Sequence, residues 1–426
     1  MDSKTDSPIT PSKKRAFRSL PFMGVIRVNN EAAAFGYQAN DPSWSNLGQG
    51  QPEFGAMAGA PPRVSVINLE PTDHAYGPVE GIIELREQIA AHYNRLFRAG
   101  KRSLYSAENV AIASGGRLAL SRVVAALDNI RLGYFSPDYT AYEDLLATFP
   151  RIEPVRMELS AQNQFRITPA DFAAHLEERR LDAVMISNPC NPTGIVIRGS
   201  ELAAWVEAAR RRCCTLLMDE FYSHYFYGSP AGPVSVAAKV EDVDEDRVVI
   251  LDGLTKCFRY PGWRIGWILA PKEMIKTITA AGSFLDGGPP RPIQRAALQV
   301  LEPARADQET DALRRVFAAK QQITINRLSK LGIGFEHRPE GTFYAWGDIG
   351  KLPPPLNNGI DFMRGAFKHR VLTVPGEFFD VQVAAGNRSV RRSWSNYMRF
   401  SFGPTRENLE AGIDRLAEMI QRASAK

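Results

Sequence analysis

Leu251–Trp267 reads LDGLTKCFRYPGWRIGW. Its first residues complete an apolar, β-branched run, RVVILD (Arg247–Asp252), with the length and composition of a buried strand. Lys256 follows the turn that ends this run, and Arg264 comes eight residues later in a segment rich in glycine and tryptophan. Taken alone, a lysine after a turn is a solvated side chain. A guanidinium inside an apolar run is different, because it needs an anionic partner to offset its desolvation.

The same strand-like pattern recurs on either side of this stretch. NVAIA, RLGYFS, DAVMIS, TLLMDE, RVVILD and WRIGWILA, between Asn109 and Ala270, read as strands. RLALSRVVAAL, TAYEDLLATF, TPADFAAHLEERR and GSELAAWVEAARRRC lie between them, apolar at i, i+3, i+4 and i+7. Such alternation predicts an α/β fold: a mostly parallel sheet covered by helices. Two Pro/Gly-rich stretches, Phe54–Arg63 and Gly287–Pro292, bracket the block. Beyond the second, a long helical stretch leads to GTFYAWGDI, HRVLTVPG and YMRFSFG, the strands of a smaller α+β domain. The expected organisation is a solvated arm over 1–20, an N-terminal segment over 21–60 joining the small domain, a large domain over 61–310, and the small domain over 311–426.

Bulk composition excludes several classes. With 44% hydrophobic and 23% charged residues, the 426-residue chain has the make-up of a globular protein. Its formal charge of +5 is spread along the chain apart from SKKRAFR (Ser12–Arg18), so no nucleic-acid partner is expected. No apolar run reaches the roughly 18 residues of a membrane span, and the first thirty residues lack the apolar core of an export signal, so no membrane partner and a cytoplasmic location are expected. Cys190, Cys213, Cys214 and Cys257 make neither a disulfide framework nor a metal-site spacing.

Ligands of open parallel sheets gather beyond the carboxyl ends of the strands. There DAVMISNPCNPTG ends with Asn191 in a proline-fixed turn, TLLMDEFY ends with Asp219 and Tyr222, and ILDGLTK ends with Lys256. Singly, Asp219 reads as a turn or cap residue and Lys256 as solvated. Their order and spacing carry more.

In that order they resemble the class I and II aminotransferases of fold type I, which use pyridoxal 5′-phosphate. LGQGQPEF, YGPVEGIIELREQIA, NPCNPTG, TKCFRYPGWRIGW, VPGEFF and MRFSFG follow one another as that family's motifs do, over nearly the whole chain from Leu47. The resemblance implies that Lys256 holds the cofactor as an imine and moves a proton at the substrate Cα, with a pyridoxamine phosphate intermediate. It implies that Asp219 faces the pyridine nitrogen, and that Asn191 and Tyr222 donate to the ring oxygen. Arg264, Thr255 and the start of a helix at Ser114, Gly115, Gly116 and Arg117 would bind the phosphate. Tyr139 would stack on the ring, Arg399 would clamp the substrate carboxylate in a planar fork, and Gly50 would let backbone approach the substrate. Tyr76 would reach the phosphate of a neighbouring subunit, which implies a symmetric homodimer.

Without the resemblance Tyr139 reads as a core tyrosine and Tyr76 as a surface turn residue. The family often places a serine three residues before the lysine, where this chain has Gly253. The dicarboxylate-specific branch has a second arginine near GSFLDGGPP, where none stands here, which disfavours aspartate or glutamate as substrate; Arg291 reads as a surface or interface residue. The expected function is amino-group transfer from an amino acid to a 2-oxo acid. The alternative is another fold-type-I reaction on an amino acid: elimination, synthase, decarboxylase or oxidase chemistry.

Overall fold

The computed structural model describes residues 24–383 and 393–425. The arm expected over 1–20, with its basic cluster, lies outside them. Among the described residues the strands are β1 (Ser45–Asn46), β2 (Val110–Ala113), β3 (Ile130–Ser136), β4 (Ile152–Glu158), β5 (Ala183–Ser187), β6 (Thr215–Asp219), β7 (Val248–Gly253), β8 (Gly266–Leu269), β9 (Tyr344–Asp348), β10 (Val371–Leu372), β11 (Val374–Pro375) and β12 (Tyr397–Ser401).

Seven of them form one sheet in the order β2-β8-β7-β6-β5-β3-β4. From β4 to β7 the pairing is parallel; β8 runs antiparallel between β7 and β2. Every residue of β2, β5, β7 and β8 is buried, and since successive side chains point to opposite faces, both faces of the sheet are covered. The helix Gly199–Arg211 shows how. Leu202, Trp205, Val206 and Ala209 form one apolar stripe, and Trp205 stacks at 3.7 Å on Phe172 of the helix Pro169–Glu178 while meeting Phe135 of β3 at 5.8 Å.

The structure departs from the sequence reading at three places. β4 was not expected, because Pro154 and alternating charges interrupt IEPVRME; it forms at the sheet edge, where a residue without an N–H is tolerated. WRIGWILA is strand only from Gly266. Pro261–Trp263 make a short 3₁₀ turn, and Arg264 takes a left-handed backbone (φ +53°) that stops the strand from starting earlier. HRVLTVPG is split at Thr373 into β10 and β11, which serve different sheets: β10 pairs with β1, and β11 joins β12 and β9. The β1–β10 pairing ties the N-terminal segment to the C-terminal part. The boundary expected at 310 falls within a continuous helix, Pro303–Lys330.

Register positions the site. Ser187 at the end of β5 pairs with Asp219 at the end of β6, and Asp219 pairs with Leu251 of β7. The chain therefore leaves three neighbouring strands at one edge of the sheet. β12, which carries Arg399, approaches that edge from the C-terminal part. No helix among the described residues is long and apolar enough to cross a membrane.

Candidate active site

A cavity of about 450 Å³ opens at this edge. Its wall includes Gly50, Gly116, Arg117, Tyr139, Asn191, Asp219, Tyr222, Thr255, Lys256, Arg264 and Arg399, so the structure brings together most of the residues singled out from sequence. Ser114 and Gly115 form the turn from β2 into the helix Gly116–Ala126 but are not on the wall. Tyr76 is not there either; its side chain is 99% exposed.

Lys256 reaches the cavity from the turn after β7, and its Nζ donates to the carbonyl of Gly50. Burial lowers its pKa to about 7; the guanidinium groups of Arg399, Arg264 and Arg117 push the same way, and Asp219 opposes them. A substantial fraction of this amine is therefore uncharged near neutrality. A Cβ on Gly50 would lie 3.0 Å from the Tyr344 hydroxyl and 3.9 Å from Lys256 Nζ, which leaves little room there for a side chain.

Asp219 is buried, and that raises its pKa to about 6. The Tyr142 hydroxyl donates to its Oδ2 at 2.9 Å and the Phe221 amide to its Oδ1 at 3.4 Å, and both favour the ionised form. Tyr142 was missed from sequence. It stands three residues after Tyr139, just inside the helix Ala141–Thr148, and the two rings meet edge-on with centres 5.5 Å apart.

Arg399, 2% exposed, donates from Nη1 to Asn191 Oδ1 at 2.9 Å and from Nη2 to the Gly48 carbonyl at 2.7 Å. Because a guanidinium only donates, the Asn191 atom facing it is the oxygen, and the amide NH₂ is left free to donate elsewhere. The Arg399 guanidinium lies 4.0 Å from the ring centre of Tyr344 and 4.8 Å from that of Phe379, while its Nε is buried without a partner. Tyr344 also shares a 2.8 Å hydrogen bond with the Tyr222 hydroxyl. Neither Tyr344 nor Phe379 was singled out from sequence, since an aromatic on a strand reads as core. Burial raises the pKa of both tyrosines, so both hydroxyls keep their protons.

A cluster of donors faces the cavity from its other end. The Thr255 hydroxyl is buried without a partner, Arg117 donates to the Tyr139 hydroxyl at 3.3 Å, and the helix Gly116–Ala126 begins here. Arg264 corrects an expectation: it is not buried in the apolar run. The left-handed turn lifts its side chain to the cavity, where it is exposed and donates to the Pro261 carbonyl at 3.1 Å. Gly115, at φ +90°, has no room for a Cβ, which would collide with this guanidinium.

Gly253 has a packing cause. A Cβ there would lie 2.5 Å from the Ile265 carbonyl oxygen and 3.0 Å from the Phe221 ring, and one on Gly116 would lie 2.5 Å from the same ring. The backbone at Ile265 and Gly266 occupies the space a serine would need, with the Phe221 ring behind it. Gly253→Ser is accordingly expected to destabilise the protein by about 1–3 kcal/mol, the range for overpacking, and to weaken cofactor retention, as read by thermal melting and cofactor titration. A tighter cofactor with an unchanged melting temperature would contradict this packing argument. Near GSFLDGGPP, Asp286 turns inward to an ion pair with the buried Arg122, and Arg291 lies beside Tyr76 with Nη1 3.5 Å from its carbonyl. Cys190 and Cys257 are buried free thiols whose pKa burial raises, as inert packing residues would be.

Residues 42–416 match the family described as aminotransferase class I and II. This chain belongs to that family. Among curated proteins, the aminotransferase is 25% identical to an aspartate aminotransferase of Sulfurisphaera tokodaii over 386 residues, 88% of this chain and 89% of that one. It is 28% identical to a valine–pyruvate aminotransferase of Mycobacterium tuberculosis over 382 residues, 88% of this chain and 90% of that one. It shares its fold with a solved aminotransferase from Mycobacterium tuberculosis (TM-score 0.78, 24% identity, 96% and 100% of the two chains). The Thermus thermophilus aspartate aminotransferase with maleate has the same fold (TM-score 0.76, 23% identity, 95% and 100%).

The aminotransferase is thus a transferase that uses pyridoxal phosphate, with amino acids and 2-oxo acids as its substrates. The cavity suits that cofactor on its own chemistry. It offers an amine of lowered pKa, a buried carboxylate for a ring nitrogen, and, for an anionic phosphate, an unpartnered buried hydroxyl beside two arginines and a helix start.

Proposed function

We propose that the cavity carries out amino-group transfer with Lys256 as covalent anchor and proton carrier. The observation that carries this is the uncharged-capable amine of Lys256, set between the carboxylate of Asp219 and the guanidinium of Arg399 in one cavity. Pyridoxal phosphate supplies an aldehyde that bonds to amines and a ring that accepts the electron pair left when the Cα proton departs. Asp219 would hold a proton on the ring nitrogen, and its bond from Tyr142 keeps it an acceptor. Asn191, through its free NH₂, and Tyr222 would donate to the ring oxygen. Thr255, Arg264, Arg117 and the Gly116 amide at the helix start would hold the phosphate, while the Gly115 amide is taken by the Ala113 carbonyl, and Tyr139 would cover the ring.

Arg399 would fix the substrate carboxylate by its paired donors, and so fix which Cα bond stands above the ring. Lys256, with a pKa near neutrality, would take the Cα proton and return it two bonds away, at the carbon across the substrate nitrogen. In cofactor-stripped protein, acylation of Lys256, followed by peptide mass spectrometry, is expected to rise with a midpoint near pH 7. A midpoint near the ordinary 10.5 would contradict the proposed environment.

The proposal includes a cytoplasmic homodimer in which Tyr76 meets the partner's phosphate. Supporting it, Tyr76, Leu69 and Val66 expose 99%, 62% and 66% of their surface within one short segment, more apolar area than an isolated turn needs. The reaction is tested with purified protein. An amino acid should change the cofactor absorbance and a 2-oxo acid should restore it. Release of ammonia, hydrogen peroxide or carbon dioxide in place of that cycle would assign a different reaction.

A further inference from the structure

Asp138 has no role in the chemistry above, yet it is a wholly buried carboxylate just beyond the end of β3. Its Oδ1 accepts the Tyr139 backbone N–H at 2.7 Å and the hydroxyl of Ser187; its Oδ2 accepts the Ser187 N–H at 3.4 Å. Its own N–H donates to the Phe379 carbonyl at 3.2 Å. The chain continues to the cavity. Ser187 Oγ accepts the Asn191 N–H at 3.0 Å, and Asn191 Oδ1 accepts Arg399 Nη1 at 2.9 Å.

The direction of these bonds is forced. The Asn191 N–H can only donate, so Ser187 Oγ accepts from it and must spend its single proton on another acceptor. Asp138 is that acceptor. The same carboxylate fixes the backbone of Tyr139 on one side of the cavity, and its amide holds Phe379, whose ring packs on Arg399. Burial raises the Asp138 pKa to about 8 while the Ser187 and Tyr139 donors lower it, so the site holds a carboxyl group at a desolvation cost that surface turn residues avoid. An apolar residue here would avoid that cost but leave the Ser187 hydroxyl without an acceptor.

We propose that Asp138 is a positioning residue: through Ser187 and Asn191 it sets the guanidinium of Arg399, and through the Tyr139 amide it sets the aromatic wall facing it. This rests on the reading that Arg399 binds the substrate carboxylate. No atom of Asp138 lines the cavity; its effect arrives through Ser187, Asn191 and Tyr139, which do, and the Asn191–Arg399 bond directs it first to substrate binding.

The test uses the full-length holoenzyme. Asp138→Ala and Ser187→Ala are each expected to raise the amino-acid KM about tenfold, the loss of one buried hydrogen bond, with kcat within about threefold. Asp138→Asn, which keeps an acceptor oxygen for Ser187, should bring KM back to within about threefold of the parent. The double variant should be no worse than the worse single one, since both break one chain. If the variants only lower the melting temperature and the active fraction, with KM within twofold, the proposal is overturned. Should Asp138→Ala not fold, Ser187→Ala and Asp138→Asn decide alone. Arg399→Lys is measured beside them: an unchanged KM there removes the carboxylate reading itself, a failure distinct from that of the Asp138 chain.

Discussion

Lys256→Ala is expected to lower kcat by at least about 10²–10⁴-fold, the range ordinarily lost with a general acid–base group, and to remove covalent cofactor attachment as well. The cavity wall shows why no neighbour can substitute. Lys256 is its only lysine among the described residues, and the guanidinium groups of Arg117, Arg264 and Arg399 are donors with no acceptor atom. Burial holds the Tyr222 and Tyr344 hydroxyls protonated, and Asp219 is engaged by Tyr142. The Lys256 amine, with a pKa of about 7, can both take and give a proton near neutrality, whereas the Asp219 carboxyl, at about 6, is held by the Tyr142 hydroxyl and the Phe221 amide. Steady-state rates with an amino acid and a 2-oxo acid check this; activity within about tenfold of the parent would place proton transfer elsewhere.

The second large effect is at Arg399. Arg399→Lys should raise the amino-acid KM roughly 10–100-fold, as expected when charge-assisted hydrogen bonds of about 1.5–3 kcal/mol are lost, while the cofactor absorbance stays that of the parent. Asn191 and Gly48 each take one bond from the guanidinium, whose carbon lies over the rings of Tyr344 and Phe379. Lysine is a single point donor on a flexible stem. It cannot hold both partners and still present paired N–H groups to a carboxylate. A KM within twofold, measured with several amino acids, would mean that the carboxylate is bound by another group.

What the sequence made legible follows from what local patterns encode. Alternating β-branched runs and helical stripes identified the parallel sheet, and residues at strand ends gave Asn191, Asp219 and Lys256, because position at the end of a buried strand is itself a local property. Contacts made across the fold were not legible. Tyr142 reaches Asp219 only after β3 and β6 are brought together, and Tyr344 meets Tyr222 over a separation of 122 residues. Arg264 is the reverse case. Its apolar neighbours suggested burial, but a left-handed turn, which pattern alone does not reveal, puts it on the cavity. Gly253 looked like a missing contact, and the close approach of the paired strand at Ile265 and Gly266 explains it by volume.

The covalent role of Lys256 is tested most directly by reducing the holoenzyme with borohydride, digesting it, and locating the cofactor adduct by peptide mass spectrometry. The adduct is expected on the peptide containing Lys256 and nowhere else. An adduct on a different lysine, or bound cofactor with no adduct at all, would contradict the assignment.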